Sequence, residues 1–410
     1  MNTLRFITAG NVDDGKSTLI GRLLYDSDSI HTDQLGVLQK QTKQEGVDID
    51  LSLITDGLRA EREQGITIDV AYKYFSTSKR KFIIADAPGH EQYTRNMITG
   101  ASNSDLIIIL VDARKGITEQ TRRHASIGSL MGIKKAIIAI NKIDLVNYSE
   151  ETFKQIQADF EEIKSELNYD QIIYIPVSAL VGDNVVNTSE NTPWYSGKSI
   201  LETLENVEID STDDLPPRFQ VQWVIRPKDE ENHDYRGYAG PVLSGSYKIG
   251  DKVKVLPANI ETKIIKIERN QEEVEQVVAG DNVVLHFDAN IDISRGDTIV
   301  LNNQLPKESN QIDTWVSWLD NTDLQVGKTY LLQHRFKTVR VKVQQVNRKW
   351  NVNQWQFIDG DTVKLNDIAQ ISLRSNQYLF IDSFNQNSKT GNAILIDETS
   401  YNTVGALMFL

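Results

Sequence analysis

The sequence predicts a mostly parallel α/β domain with helices on both faces of its sheet, followed by two antiparallel β-barrels. Three observations carry this reading. Residues 106–112 and 136–141 are continuous apolar runs without alternation, the pattern of strands covered on both faces. Helical patterns at 17–24, 118–131, 150–167 and 199–207 interleave with the strands of the first half, and such alternation implies a parallel sheet. Near residue 210 the pattern changes to short β-rich runs separated by turns at Gly240, Gly245, Gly250, Gly280 and Gly296, which suits closed antiparallel sheets.

Taken in order, strands are expected at 4–9, 70–76, 81–86, 106–112, 136–141 and 171–177. The acidic, Pro-ended stretch 210–217 reads as a linker. Beyond it, β-rich runs at 219–225, 252–256, 263–268, 282–287 and 298–300 make the first barrel. A second boundary falls at 305–310, and runs at 338–346, 369–373 and 393–396 make the second. The expected domains are 1–210, 211–304 and 305–410, and a length of 410 residues suits two to three domains.

The chain has no cysteine, which excludes disulfides, thiolate nucleophiles and cysteine-ligated metal sites. Its net charge of −13 argues against broad binding to nucleic acid or an anionic membrane. The longest apolar run, 106–111, is far shorter than the ~20 residues that span a bilayer. No leader pattern opens the chain, and a soluble cytoplasmic protein is expected.

Gly10-Asn11-Val12-Asp13-Asp14-Gly15-Lys16-Ser17 fits the phosphate-loop pattern G-x-x-x-x-G-K-[ST] and lies between a strand and a helix, as that pattern requires. Its backbone N–H groups would wrap phosphates, and the helix dipole would favour their charge. Lys16 would reach the β- and γ-phosphates and Ser17 would ligate Mg²⁺. Asp86-Ala87-Pro88-Gly89-His90 follows a strand. There Asp86 is placed to hold Mg²⁺ through water, and the Gly89 N–H to sense the γ-phosphate.

Asn141-Lys142-Ile143-Asp144 follows another strand. By itself Asn-Lys-x-Asp is a common surface turn; beside a phosphate loop it selects guanine. Asp144 accepts both the N1–H and the 2-amino group of that base, whereas adenine would leave the carboxylate unpaired, a mismatch costing ~10⁴–10⁵ in discrimination. Asn141 and Lys142 would position the base, and the backbone of Ser178-Ala179-Leu180 would complete its pocket. GTP is thus the expected nucleotide. In the segment Glu61 to Asp69, Thr67 would close on Mg²⁺ when a γ-phosphate is present.

These segments together resemble the translational-type GTPases, a GTP-binding domain with two β-barrels. More specifically, residues 11–24, 58–72, 74–77, 83–86, 89–97 and 193–197 are similar to the GTPase-subunit family of heterodimeric bacterial sulfate adenylyltransferase. Elongation factors usually carry His where this chain has Asp14. The Glu91-Gln92-Tyr93-Thr94-Arg95 and Pro193-Trp194-Tyr195-Ser196-Gly197 segments also fit the sulfurylase family better. The resemblance implies a small-subunit partner that makes adenosine 5′-phosphosulfate and pyrophosphate from ATP and sulfate, with GTP hydrolysis on this chain coupled to that uphill reaction. It also implies that residues Gly10 to Thr18 bind phosphates, that Ser17 and Thr67 meet Mg²⁺ with Asp86 behind, and that His90 orients the attacking water. Val12 and Ile66 stand where such GTPases gate that histidine, and Asp13 where a monovalent cation or developing charge would be helped. Ala87 replaces the Thr of many relatives. With no second phosphate loop, the kinase domain fused in some relatives is not expected. The alternative is an elongation-factor-like carrier of aminoacyl-tRNA, disfavoured by the net charge and by Asp14.

The other histidines (His31, His124, His233, His286, His334) lack metal-ligand spacing and read as structural or surface residues. Trp315, Trp318, Trp350 and Trp355 read as core, with an exposed aromatic patch as the rival. Lys79-Arg80-Lys81 reads as a solvated hairpin end.

Overall fold

The computed structural model describes residues 3–27, 51, 70–88, 94–165, 167–209, 212–227, 235–351 and 356–410. These divide into two compact units, one reaching to Ile209 and the other running from Thr212 onward.

In the first unit, β1 (Thr3–Ala9), β2 (Ala71–Ser76), β3 (Lys81–Asp86), β4 (Leu106–Asp112), β5 (Lys135–Asn141) and β6 (Gln171–Pro176) form one sheet in the order β2-β3-β1-β4-β5-β6. All pairings are parallel except that of the edge strand β2 with β3. Every residue of β4 is buried, as its unbroken apolar run requires. The register sets Thr8 opposite Asp86 and Asp112 opposite Asn141. The carboxyl ends of β1, β3, β4 and β5 therefore share one edge, where open α/β sheets take their ligands.

The helices are α1 (Lys16–Asp26), α2 (Thr94–Ala101), α3 (Glu119–Leu130), α4 (Glu150–Lys164) and α5 (Ile200–Asn206). Leu19, Ile20, Leu23 and Leu24 make one face of α1 and join a core with Leu4, Phe6, Leu110 and Ile137, each such burial stabilising by roughly 1.5–3 kcal/mol. Thr118, Ser149 and Ser199 cap α3, α4 and α5 by accepting a backbone N–H of the first turn. Helix α2 was not expected from the sequence.

Arg80 corrects the reading of the Lys79-Arg80-Lys81 run as solvated. It is only 7% exposed, and its Nη1 donates to the carbonyls of Leu204 (3.0 Å) and Val207 (2.6 Å). It therefore satisfies carbonyls at the end of α5 that the helix itself cannot pair. Lys79 remains exposed and pairs with Glu205 at 2.8 Å.

The second unit holds two closed antiparallel barrels, as the sequence predicts. In the first, the strands run around as Lys252–Leu256, Thr298–Leu301, Arg218–Gln220, Gly237–Ser244, Asn282–Phe287 and Ile260–Arg269, the last pairing back to the first. In the second, the order is Thr329–His334, Asn392–Ile396, Thr403–Phe409, Lys307–Trp318, Ile368–Ile381 and Lys337–Asn351, which again closes on itself. Each has its own apolar core. The run 219–225 proves to be two strands, Arg218–Gln220 and Trp223–Ile225. The stretch 307–310, read as boundary, opens the strand Lys307–Trp318.

Trp318 is core, whereas Trp315 and Trp350 are only partly buried and pack against Phe357. His124, His286 and His334 are buried; His31, His233 and Trp355 lie outside the described residues. Among the described residues no helix is long and apolar enough to cross a membrane.

Candidate nucleotide site

The loop Gly10 to Gly15 joins β1 to α1 along the shared strand edge. Two glycines are required by close approach. A Cβ on Gly15, whose φ is +93°, would fall 2.4 Å from Asn141 Nδ2, and one on Gly10 would press on Leu110 at 3.1 Å. Within the loop the Asn11 N–H donates to the Asp14 carboxylate at 2.8 Å, and the Asp14 N–H returns to the Asn11 carbonyl at 3.2 Å. Burial raises the Asp14 carboxyl above its ordinary value, opposed by the bond from Asn11. Gly15, at the N-cap of α1, offers no side chain to cap the helix, and a helix start of this kind is suited to take a phosphate.

Lys16 is buried, and its Nζ donates to Asp86 Oδ1 at 2.8 Å. The Thr8 hydroxyl lies 3.5 Å from the same oxygen. The two residues expected at the γ-phosphate and the metal thus meet each other. Asp13, at φ 68°, is exposed, and Val12, Ser17 and Thr18 are half-buried along the loop and first turn.

The Asn141 side chain ties three segments together. Its Nδ2 donates to the Asp14 carbonyl at 2.7 Å and its Oδ1 accepts the Ala179 N–H at 2.9 Å. Lys142, in the left-handed region at φ 60°, donates to the Asp13 carbonyl and pairs with Asp112 at 3.0 Å. Asp144 lies in the 3₁₀ turn Ile143–Val146 and is half-buried. Ser178 is fully buried, and Leu180 is exposed, with Arg22 donating to the carbonyls of Ala179 and Leu180. Phosphate loop, Asn-Lys-x-Asp segment and Ser178-Ala179-Leu180 thus share one place. Thr67, Gly89 and His90, together with Ile66, lie outside the described residues.

Sequence reasoning missed Asp112. Burial would raise its carboxyl, but hydrogen bonds from Arg114 and Lys142 outweigh that and hold it well below the usual carboxylate range. Its one sequence signal is a lone carboxylate closing an otherwise apolar strand.

Residues 1–211 match the family described as Elongation factor Tu GTP binding domain, and residues 311–409 match GTP-eEF1A C-terminal domain-like. Relatives named sulfate adenylyltransferase subunit 1 align over 99% of this chain. The Teredinibacter turnerae protein is 48% identical with 86% of its length covered, that of Alteromonas mediterranea 47% with 86%, and that of Salmonella typhi 47% with 85%. On these matches the chain belongs to the sulfate adenylyltransferase subunit 1 family, with a GTP-binding domain of the elongation factor Tu type.

Proposed function

We propose that this chain binds and hydrolyses GTP as one subunit of a cytoplasmic two-subunit sulfate adenylyltransferase. The partner small subunit forms adenosine 5′-phosphosulfate and pyrophosphate from ATP and sulfate, and GTP hydrolysis here drives that uphill reaction. The nucleotide domain spans residues 1–210 and the barrels 211–304 and 305–410. The observation that carries the nucleotide assignment is Asn141, which joins the phosphate loop to the base-pocket backbone. Family membership carries the reaction, and favours it over delivery of aminoacyl-tRNA.

The chain's own groups divide the work. Backbone N–H groups of Gly10 to Thr18 hold the phosphates, and Lys16 turns from Asp86 to the β- and γ-oxygens. Asp144 accepts the guanine N1–H and 2-amino group, Lys142 and Asn141 brace the base, and Ser178, Ala179 and Leu180 offer backbone to its far edge. Gly89 meets the γ-phosphate, and His90 holds the attacking water in line. The donor set fits Mg²⁺, with hydroxyls of Ser17 and Thr67 to hold it and the Asp86 carboxylate 3.5 Å or less from Thr8 and Lys16 to hold its water. When bound, the ion neutralises charge on the phosphates.

The test is to co-express the chain with the small subunit and assay phosphosulfate formation from ATP and sulfate. Formation that requires both subunits and rises with GTP is expected; formation indifferent to GTP would overturn the coupling. In the same assay His90→Ala should retain GTP binding while hydrolysis drops at least ~10²-fold.

A further inference from the structure

Asp112 ends β4, and its carboxylate has no exposed surface. Four donors fill it. Lys142 Nζ (3.0 Å) and Arg114 Nη2 (2.6 Å) reach Oδ2, while Arg114 Nε and the Arg114 backbone N–H, each at 3.0 Å, reach Oδ1. A carboxylate has about four acceptor sites, so its capacity is used. The backbone around it is equally fixed. The Ala113 N–H donates to the Asn141 carbonyl at 2.8 Å, and the N–H groups of Lys115 and Gly116 turn back to the Asp112 carbonyl.

Lys142 faces two ways, toward this carboxylate and toward the carbonyl of Asp13. Asp13 holds a left-handed φ of 68°, which a non-glycine residue keeps only under constraint from its surroundings. An ammonium on a four-carbon stem has many rotamers and loses them only for strong partners. Between these two partners the carbonyl is neutral, and the charge lies on Asp112.

We infer that Asp112 is a positioning residue for guanine-nucleotide binding: it fixes Lys142 and, through it, the Asp13 corner of the phosphate loop. This rests on the nucleotide reading above. With the carboxylate gone, Lys142 has a carbonyl and solvent to choose between, the corner loosens, and bound nucleotide leaves sooner. Arg114, whose side chain is 47% exposed, balances the buried charge without reaching the loop, so its loss matters less.

The experiment measures release of methylanthraniloyl-GDP, chased with excess GDP, from wild type, Asp112→Asn, Arg114→Ala, Lys142→Ala and the Asp112→Asn/Lys142→Ala double variant, with thermal melting alongside. Asp112→Asn should speed release about tenfold to a hundredfold, the scale on which a supporting partner behind a binding group acts. Arg114→Ala should stay within about threefold of wild type. In the Lys142→Ala background, Asp112→Asn should add nothing to the release rate, although a purely structural role would still add its full effect. Unchanged release from an Asp112→Asn protein that melts like wild type would overturn the inference, as would a full effect without Lys142. If Asp112→Asn does not fold, Asp112→Ser and Asp112→Glu are read the same way. Wild type that fails to bind the probe would defeat the nucleotide reading and this inference with it.

Discussion

Two ion pairs largely withdrawn from solvent, one in each unit, are built differently. Lys16 meets Asp86 through one 2.8 Å contact, with side-chain exposures of 8% and 3%. Arg218 meets Asp382 through two, Nε and Nη2 each at 2.9 Å from separate carboxylate oxygens. Arg218 spends its Nη1 donors on the carbonyls of Gln304 (2.7 Å) and Pro217 (3.0 Å), and Asp382 takes the Thr390 hydroxyl at 2.6 Å. Arg218 belongs to the first barrel and Asp382 follows the Ile368–Ile381 strand of the second, with Asn387 donating to Ser244 beside them. The rigid guanidinium fork makes a saturated joint between the barrels, while the lysine is a point charge on a rotatable stem and can exchange one anion for another. Burial alone does not make an ion pair permanent; the geometry of the donor that makes it matters as well.

The largest expected effect tests the exchangeable pair. Lys16→Ala should abolish tight GTP binding in an equilibrium titration, and a retained micromolar affinity would mean that Lys16 belongs to Asp86 alone. Next comes the base side of the same site. Asp144→Asn should shift preference from GTP to xanthosine triphosphate, a change of about 10⁴-fold for a site built around paired donors and acceptors; competition binding reads it, and unchanged GTP affinity would remove Asp144 from the pocket.

The saturated pair should respond in stability instead. Arg218→Ala leaves the half-buried Asp382 without its cation, and should cost at most about 3–5 kcal/mol in denaturant unfolding with nucleotide affinity unchanged. Replacing both partners, Arg218→Met with Asp382→Leu, should recover most of that loss. A loss of GTP affinity in Arg218→Ala would erase the contrast between the two pairs.

The smallest effect is a pH dependence. His334 stands next to this joint, its Nε2 2.8 Å from the Thr390 carbonyl, and burial pushes its imidazole down to about 4. The unfolded chain, with an ordinary value near ~6.5, then binds more protons than the folded one between about pH 6.5 and about 4. Stability should therefore fall as pH drops through that window, read as the melting temperature at successive pH values. His334→Gln should flatten the slope, and an unaltered slope would place the titrating group elsewhere.

The features legible in the sequence are those whose chemistry forces a local spelling. Close backbone approach demanded Gly10 and Gly15, and strands covered on both faces demanded unbroken apolar runs. Arg80, Asp112 and the Arg218–Asp382 pair carry no such mark. Arg80 is spelled as one of three cations at a hairpin end, yet it caps a helix more than a hundred residues away, an atom-to-atom fact that composition does not encode. Arg218 and Asp382 are separated by 164 positions, and only the packing of one barrel against the other brings them together. Helix α2 is eight residues long, too short for its periodicity to stand out. The strand ends of the barrels shifted for a related reason: alternation marks the middle of a strand better than its limits.

The Asn141 bridge has a consequence for how the protein is made. Its partners, Asp14 and Ala179, lie 127 positions before it and 38 after it, so the pocket closes only when both long loops have been gathered in. A nascent chain that has exposed the whole phosphate loop still lacks the bridge that braces it until Ala179 has left the ribosome. Guanine nucleotide should therefore have no finished place to bind until that point, and its capture would mark the moment at which the nucleotide domain has folded.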